Sequence, residues 1–77
     1  MPNDRKDYTD VRYRVLAVEK ILDFSEKPLT VPQILDKLER IYGIVTSPHP
    51  VANDIRVLSQ FYNIRHAGLR EGYYIER

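Results

Sequence analysis

Apolar residues recur along this chain in three stretches at helical spacing and one at alternating spacing, with punctuating residues between them. In the first stretch Val11, Val15, Val18 and Leu22 make one stripe, broadened by Ile21, as on a helix with a single inward face. It predicts a first helix from Thr9 or Asp10, either of which can cap it, to Phe24, with Tyr13, Leu16, Ala17 and Phe24 on roughly the opposite side. Ser25 to Leu29 reads as a loop, because Pro28 stops helix continuation. Thr30-Val31-Pro32-Gln33 then forms a capping box: a hydroxyl at the cap, an amide three residues on, and proline within the first turn. A second helix over 31–42 follows. It turns Val31, Ile34, Leu35, Leu38 and Ile41 inward, leaves Asp36, Lys37, Glu39 and Arg40 in water, and ends at Gly43.

Ser47 heads the third helical stretch. Its hydroxyl is suited to accept from a free N–H of the first turn, and Pro48 fits the first helical position, where a missing N–H loses nothing. Val51, Ile55 and Leu58 fall at i, i+4 and i+7, so one face is apolar, while His49, Ala52, Asn53 and Arg56 fall elsewhere. The pattern extends this helix over 48–62, with Phe61 or Tyr62 continuing the apolar face and Asn63 ending it. Residues 64–67 and 72–76 then alternate at period two around Gly68-Leu69-Arg70-Glu71, which is a hairpin pattern. The hairpin must lie on the helices to persist, and Ile64 and Ile75 are its candidates for the packed face. The expected fold is mainly α with a small β-hairpin: three helices near 10–24, 31–42 and 48–62 and a two-stranded unit near 64–76. The most buried set should be Val15, Val18, Leu22, Ile34, Leu38, Val51, Ile55 and Leu58. In this order the elements spell a winged helix-turn-helix, with the hairpin as the wing.

Seventy-seven residues hold one domain with one modest core. Residues 9–77 account for it, and residues 1–8 form a polar arm without periodicity. A basic arm would suit a DNA minor groove, but Asp4 and Asp7 offset Arg5 and Lys6. A content of 43% hydrophobic and 30% charged residues is that of a globular domain, not a disordered tail. No apolar run approaches a membrane span or a signal peptide. With no cysteine, disulfides and thiolate metal sites are excluded, which fits a reducing cytoplasm. Net charge is +1 and evenly spread, so a basic face of the kind that binds phosphates has to come from side-chain placement.

No motif in the chain carries catalysis: there is no glycine-rich phosphate loop, no nucleophile elbow and no carboxylate pair in an apolar setting. His49 and His66 lack cysteine companions and ligand spacing, so neither a metal nor a cofactor is expected. Tyr42, Tyr62, Tyr73 and Tyr74 read as the sealed rim of a small core more readily than as base-stacking platforms.

Three motifs carry a resemblance. Lys27-Pro28-Leu29-Thr30-Val31, the helix Val51 to Leu58 with its Asp54-Ile55 and Val57-Leu58 pairs, and Gly72-Tyr73-Tyr74-Ile75-Glu76 resemble the N-terminal winged-helix domains of bacterial transcriptional regulators of the WYL-domain and DeoR-like groups. The resemblance covers roughly residues 12–77. It implies duplex-DNA binding, with the third helix in the major groove and the wing on the adjacent backbone or minor groove. The chain departs from the pattern where Pro48, His49 and Pro50 stand in place of Arg or Thr, and where Asn53 stands in place of Arg. Its turn between the second and third helices is also longer. The sensor domain that follows in those regulators is not expected here, which suits a small stand-alone regulator of a phage or mobile element.

Two functions follow as expectations. The first is a sequence-specific transcriptional regulator on duplex DNA, cytoplasmic and associated with the nucleoid. Ser47, His49, Asn53 and Arg56 would act from the third helix and Arg65 and Arg70 from the wing, Asn53 being suited to adenine. The second is a winged helix used as a protein-interaction module, binding a polymerase, a repressor or itself. Tyr13 and Leu16 would then be the partner or homodimer surface, unless they pack under the arm or the wing.

Overall fold

A computed structural model of the chain describes residues 11–76; the polar arm read for residues 1–8 and the caps at Thr9 and Asp10 lie outside them. Three helices, α1 (Val11–Phe24), α2 (Val31–Tyr42) and α3 (Pro48–Leu58), precede two strands, β1 (Ile64–His66) and β2 (Tyr73–Ile75). The strands pair antiparallel, with Ile64 opposite Ile75, Arg65 opposite Tyr74 and His66 opposite Tyr73. This is the layout of a winged helix. Among the described residues no helix is long and apolar enough to cross a membrane.

The local signals act as the sequence implies for α2. Gln33 N–H donates to the Thr30 hydroxyl at 3.4 Å, and the Gln33 side-chain oxygen accepts from Thr30 N–H at 2.9 Å. At the far end Gly43 takes φ +71°, a left-handed conformation that glycine adopts without a Cβ penalty, and donates to Glu39 O.

α3 is shorter than its pattern predicts. It stops at Leu58 because the Ser59 hydroxyl donates to Arg56 O at 2.6 Å and the chain tightens into a turn, in which Phe61 and Tyr62 both donate to Leu58 O. Phe61 and Tyr62 therefore leave the apolar face and are exposed. Tyr62 instead turns its hydroxyl back to donate to Glu19 on α1, a bond that raises its pKa above the ordinary tyrosine value.

Val18, Leu22, Ile34, Leu38, Val51, Ile55 and Leu58 are buried as expected, joined by Ala17, Ile21, Leu29 and Ile44. The stripe on α1 needs correction. Its buried residues all lie between Ala17 and Leu22; nearer the N-terminus the contact with α3 is made by the side chain of Arg14 and not by an apolar stripe. Val15 is therefore half-buried, Val11 is exposed, and Ala17 sits inside instead of on the outer side. Ile41, expected inward, is exposed in the last turn of α2.

The wing is anchored by a third extended segment. Leu29 N–H donates to Tyr73 O at 2.8 Å and Tyr73 N–H to Leu29 O at 2.7 Å, so the loop before α2 pairs with β2. Gly72 makes that approach feasible. Its φ is +97°, and a Cβ there would stand 2.0 Å from Leu29 O.

Two consequences can be measured. Leu38→Ala or Ile55→Ala should cost about 2–5 kcal/mol in denaturant titration, the range for truncating a buried branched aliphatic. Gly72→Ala should cost at least about 2 kcal/mol, from a strained φ plus a backbone clash. It should also speed hydrogen exchange at the Leu29 and Tyr73 amides ahead of the helices.

Candidate nucleic-acid interface

α3 has two opposed faces. Val51, Asp54, Ile55 and Leu58 point into the core, and His49, Asn53, Arg56 and Val57 are exposed on the other side, with Gln60 exposed in the turn that follows. Gln60 was not among the residues singled out in the sequence; its position four after Arg56 is the signal that would have found it.

Asp54 was not singled out in the sequence either. It is 2% exposed, on the apolar stripe itself. Arg14, 40 residues away in the first turn of α1, reaches it with a two-pronged contact: Nε to Oδ2 at 2.5 Å and Nη2 to Oδ1 at 2.9 Å. A planar guanidinium fork matches a carboxylate in this way, and each bond is charge-assisted. The hydrogen bond to Asp54 raises the Arg14 pKa above its usual value, against the opposing effect of desolvation. α3 carries only two formal charges, Asp54 and Arg56. The negative one is withdrawn into the core, so the exposed face keeps the positive one alone.

Arg56 is oriented on that face. Its Nη1 donates to the Asn53 side-chain oxygen at 2.9 Å, tying two of the sequence-selected residues together. His49 is exposed in the first turn of α3. Ser47 stands at the N-cap with extended backbone, but its hydroxyl makes no capping bond, contrary to expectation. The third helical position, whose N–H a capping hydroxyl commonly engages, is Pro50, which has none. Pro48 and Pro50 also remove donors from a helix start that would otherwise favour an anion.

The wing contributes unequally. Arg65 on β1 is paired with Glu76, Nε to Oε1 at 2.6 Å, and this hydrogen bond raises its pKa. Arg70 lies exposed at the hairpin turn and has no ion-pair partner among the described residues. Between α3 and the wing runs a shallow groove of ≈ 270 Å³ lined by Ala52, Ile55, Arg56, Ser59, Ile64, His66 and Tyr73. In it the His66 and Tyr73 rings lie 4.6 Å apart, tilted by 44°. Tyr13 and Leu16 stand apart from this surface, on the outer side of α1, 48% and 55% exposed. Among the tyrosines, Tyr42 and Tyr73 pack against the core and Tyr74 is half-buried, whereas Tyr62 is exposed.

The structure therefore gathers Ser47, His49, Asn53 and Arg56 along one helix, with Arg70 on the hairpin turn and Arg65 in a salt bridge of the wing. Compared with known proteins, the chain matches no family model, no curated sequence and no solved structure.

The Arg14–Asp54 pair can be tested by a double-mutant cycle in denaturant. Arg14→Met alone strands a buried carboxylate and should cost about 3 kcal/mol, the lower end of the range for breaking a buried pair, since the guanidinium keeps some contact with water. Adding Asp54→Leu should restore much of that loss, because an apolar pair of similar volume avoids the desolvation of two charges.

Proposed function

We propose that this chain is a winged-helix binder of duplex DNA that acts in transcription, like the regulators whose N-terminal domains it resembles. α3 would enter the major groove and the wing would touch the neighbouring backbone or minor groove. The observation that carries this reading is the sorting of charge on α3. Its one carboxylate is buried against Arg14, leaving His49, Asn53, Arg56 and Gln60 exposed beside the apolar Val57, so that the only formal charge on that face is positive. Asn and Arg side chains are the ones that address adenine and guanine edges in pairs of hydrogen bonds. Arg70 supplies a phosphate contact from the wing, while Arg65 would first have to exchange Glu76. Ser47, with its hydroxyl unengaged, is placed to donate to a phosphate beside the start of α3. Two copies on a two-fold site would meet through Tyr13 and Leu16, and sedimentation with and without duplex tests that pairing.

The decisive experiment is titration against random and selected duplexes at two salt concentrations. Asn53→Ala removes a base contact and the tether of Arg56 together; it should cost about 1–3 kcal/mol on the selected site and little on random DNA. Arg70→Ala should weaken all sequences alike and reduce the salt slope by about one. A wild-type protein without salt-dependent binding to any duplex would refute the reading, and a protein partner would take the place of DNA.

A further inference from the structure

The C-terminal halves of α1 and α2 meet along a cleft that the core leaves open to solvent. Phe24 on the α1 wall is 76% exposed and Ile41 on the α2 wall is 61% exposed, with the cleft between them. Two large apolar side chains held out on facing walls give the cleft an apolar rim. Each wall also carries one lysine a turn ahead: Lys20 before Phe24, and Lys37 before Ile41. None of the described residues that line the cleft is acidic, and neither lysine has an ion-pair partner among the described residues. The open volume is ≈ 210 Å³, below the range of about 300–1,000 Å³ in which compact small molecules are bound, but room enough for an anchoring side chain.

We propose that this cleft docks an acidic amphipathic segment of another protein. The segment seats one large apolar side chain between Phe24 and Ile41 and sets carboxylates against Lys20 and Lys37. A second copy of this chain is the wrong occupant. A two-fold contact through the same cleft brings Lys20 and Lys37 of one copy onto those of the other, and like charges facing across an interface oppose association. Nucleic acid is also the wrong occupant, because phosphates have no use for the exposed Phe24 and Ile41. The inference does not rest on the DNA reading, since no residue of α3 or the wing takes part.

The probe is a fluorescein-labelled amphipathic peptide with Leu and Phe at i and i+4 and Asp or Glu at its other positions. Its counterpart carries the same apolar pair with Lys at every acidic position. Both are titrated into the full chain, by fluorescence anisotropy and by amide chemical shifts. The acidic peptide should bind and move the amides of residues 20–25 and 37–42. Its lysine counterpart should bind at least about tenfold more weakly. Lys20→Glu with Lys37→Glu should weaken the acidic peptide at least about tenfold and improve the counterpart, and Phe24→Ser should remove binding. All three positions reach solvent at the cleft, and an unchanged amide pattern in α3 confirms that each variant is folded. Equal affinity for both peptides overturns the proposal, as do shifts confined to α3 and the wing, or no binding. Shifts at the same amides that depend on protein concentration without peptide would assign the cleft to a second copy and overturn it as well. Duplex titration of the same variants keeps this outcome separate from any failure of DNA binding.

Discussion

The bond between Arg14 and Asp54 is the constraint on which the arrangement of the helices depends. A carboxylate on the apolar stripe of α3 cannot enter a core unpaired, because the desolvation of an isolated charge exceeds what burial of its neighbours returns. Once Arg14 meets it with two directional bonds, both the rotation of α3 about its axis and its position along α1 are set. Val51, Ile55 and Leu58 alone would tolerate a modest turn of the helix, since apolar contact is not directional. Such a turn would carry Asn53 and Arg56 off the outer face. The pair adds little net stability over an apolar replacement; its effect is on which face of α3 meets the solvent.

The wing is held by a different device. A free hairpin of two three-residue strands is marginal in water, and here it gains a third extended neighbour at Leu29 and packs Ile64, Tyr73 and Ile75 against the core. Its attachment is therefore to the loop between α1 and α2 and to the core, so the turn that carries Arg70 projects from a fixed base. With Arg65 neutralised by Glu76 and two prolines at the start of α3, few positive groups face outward near the candidate interface. Phosphate neutralisation sets much of the salt dependence of DNA binding, so a chain built this way would lean on base-edge contacts more than on bulk charge.

The α3–wing face and the α1–α2 cleft lie on separate elements. α3 and the wing form one; the C-terminal halves of α1 and α2 form the other, and the core lies between them. In so small a domain the same helices serve as core and as surface: Leu22 and Ile21 are buried while Phe24, two to three residues on, stands in solvent. That economy follows from the surface-to-volume ratio of a short chain, which leaves each helix only one face to bury.

The amino-acid sequence determined the elements because their signals are local. The Thr30–Gln33 capping box and Gly43 bound α2 at 31–42, and the alternation around Gly68–Glu71 gave the hairpin, each within a turn or a strand of chain. Most of the core was legible for the same reason, as was the outward position of His49, Asn53 and Arg56, which follows from helical spacing alone. What only the tertiary structure decided involves partners remote in the chain. Asp54 shares the stripe of Val51, Ile55 and Leu58, so its place in the core could be suspected from spacing. That Arg14 would answer it, and not Arg12 on the same helix, depends on how α1 crosses α3. The exposure of Val11 and Ile41 depends on how far each helix extends past its neighbours, and the release of Phe61 from the apolar face depends on a turn closed by Ser59. Periodicity states which residues share a face; the packing of distant elements decides what that face meets.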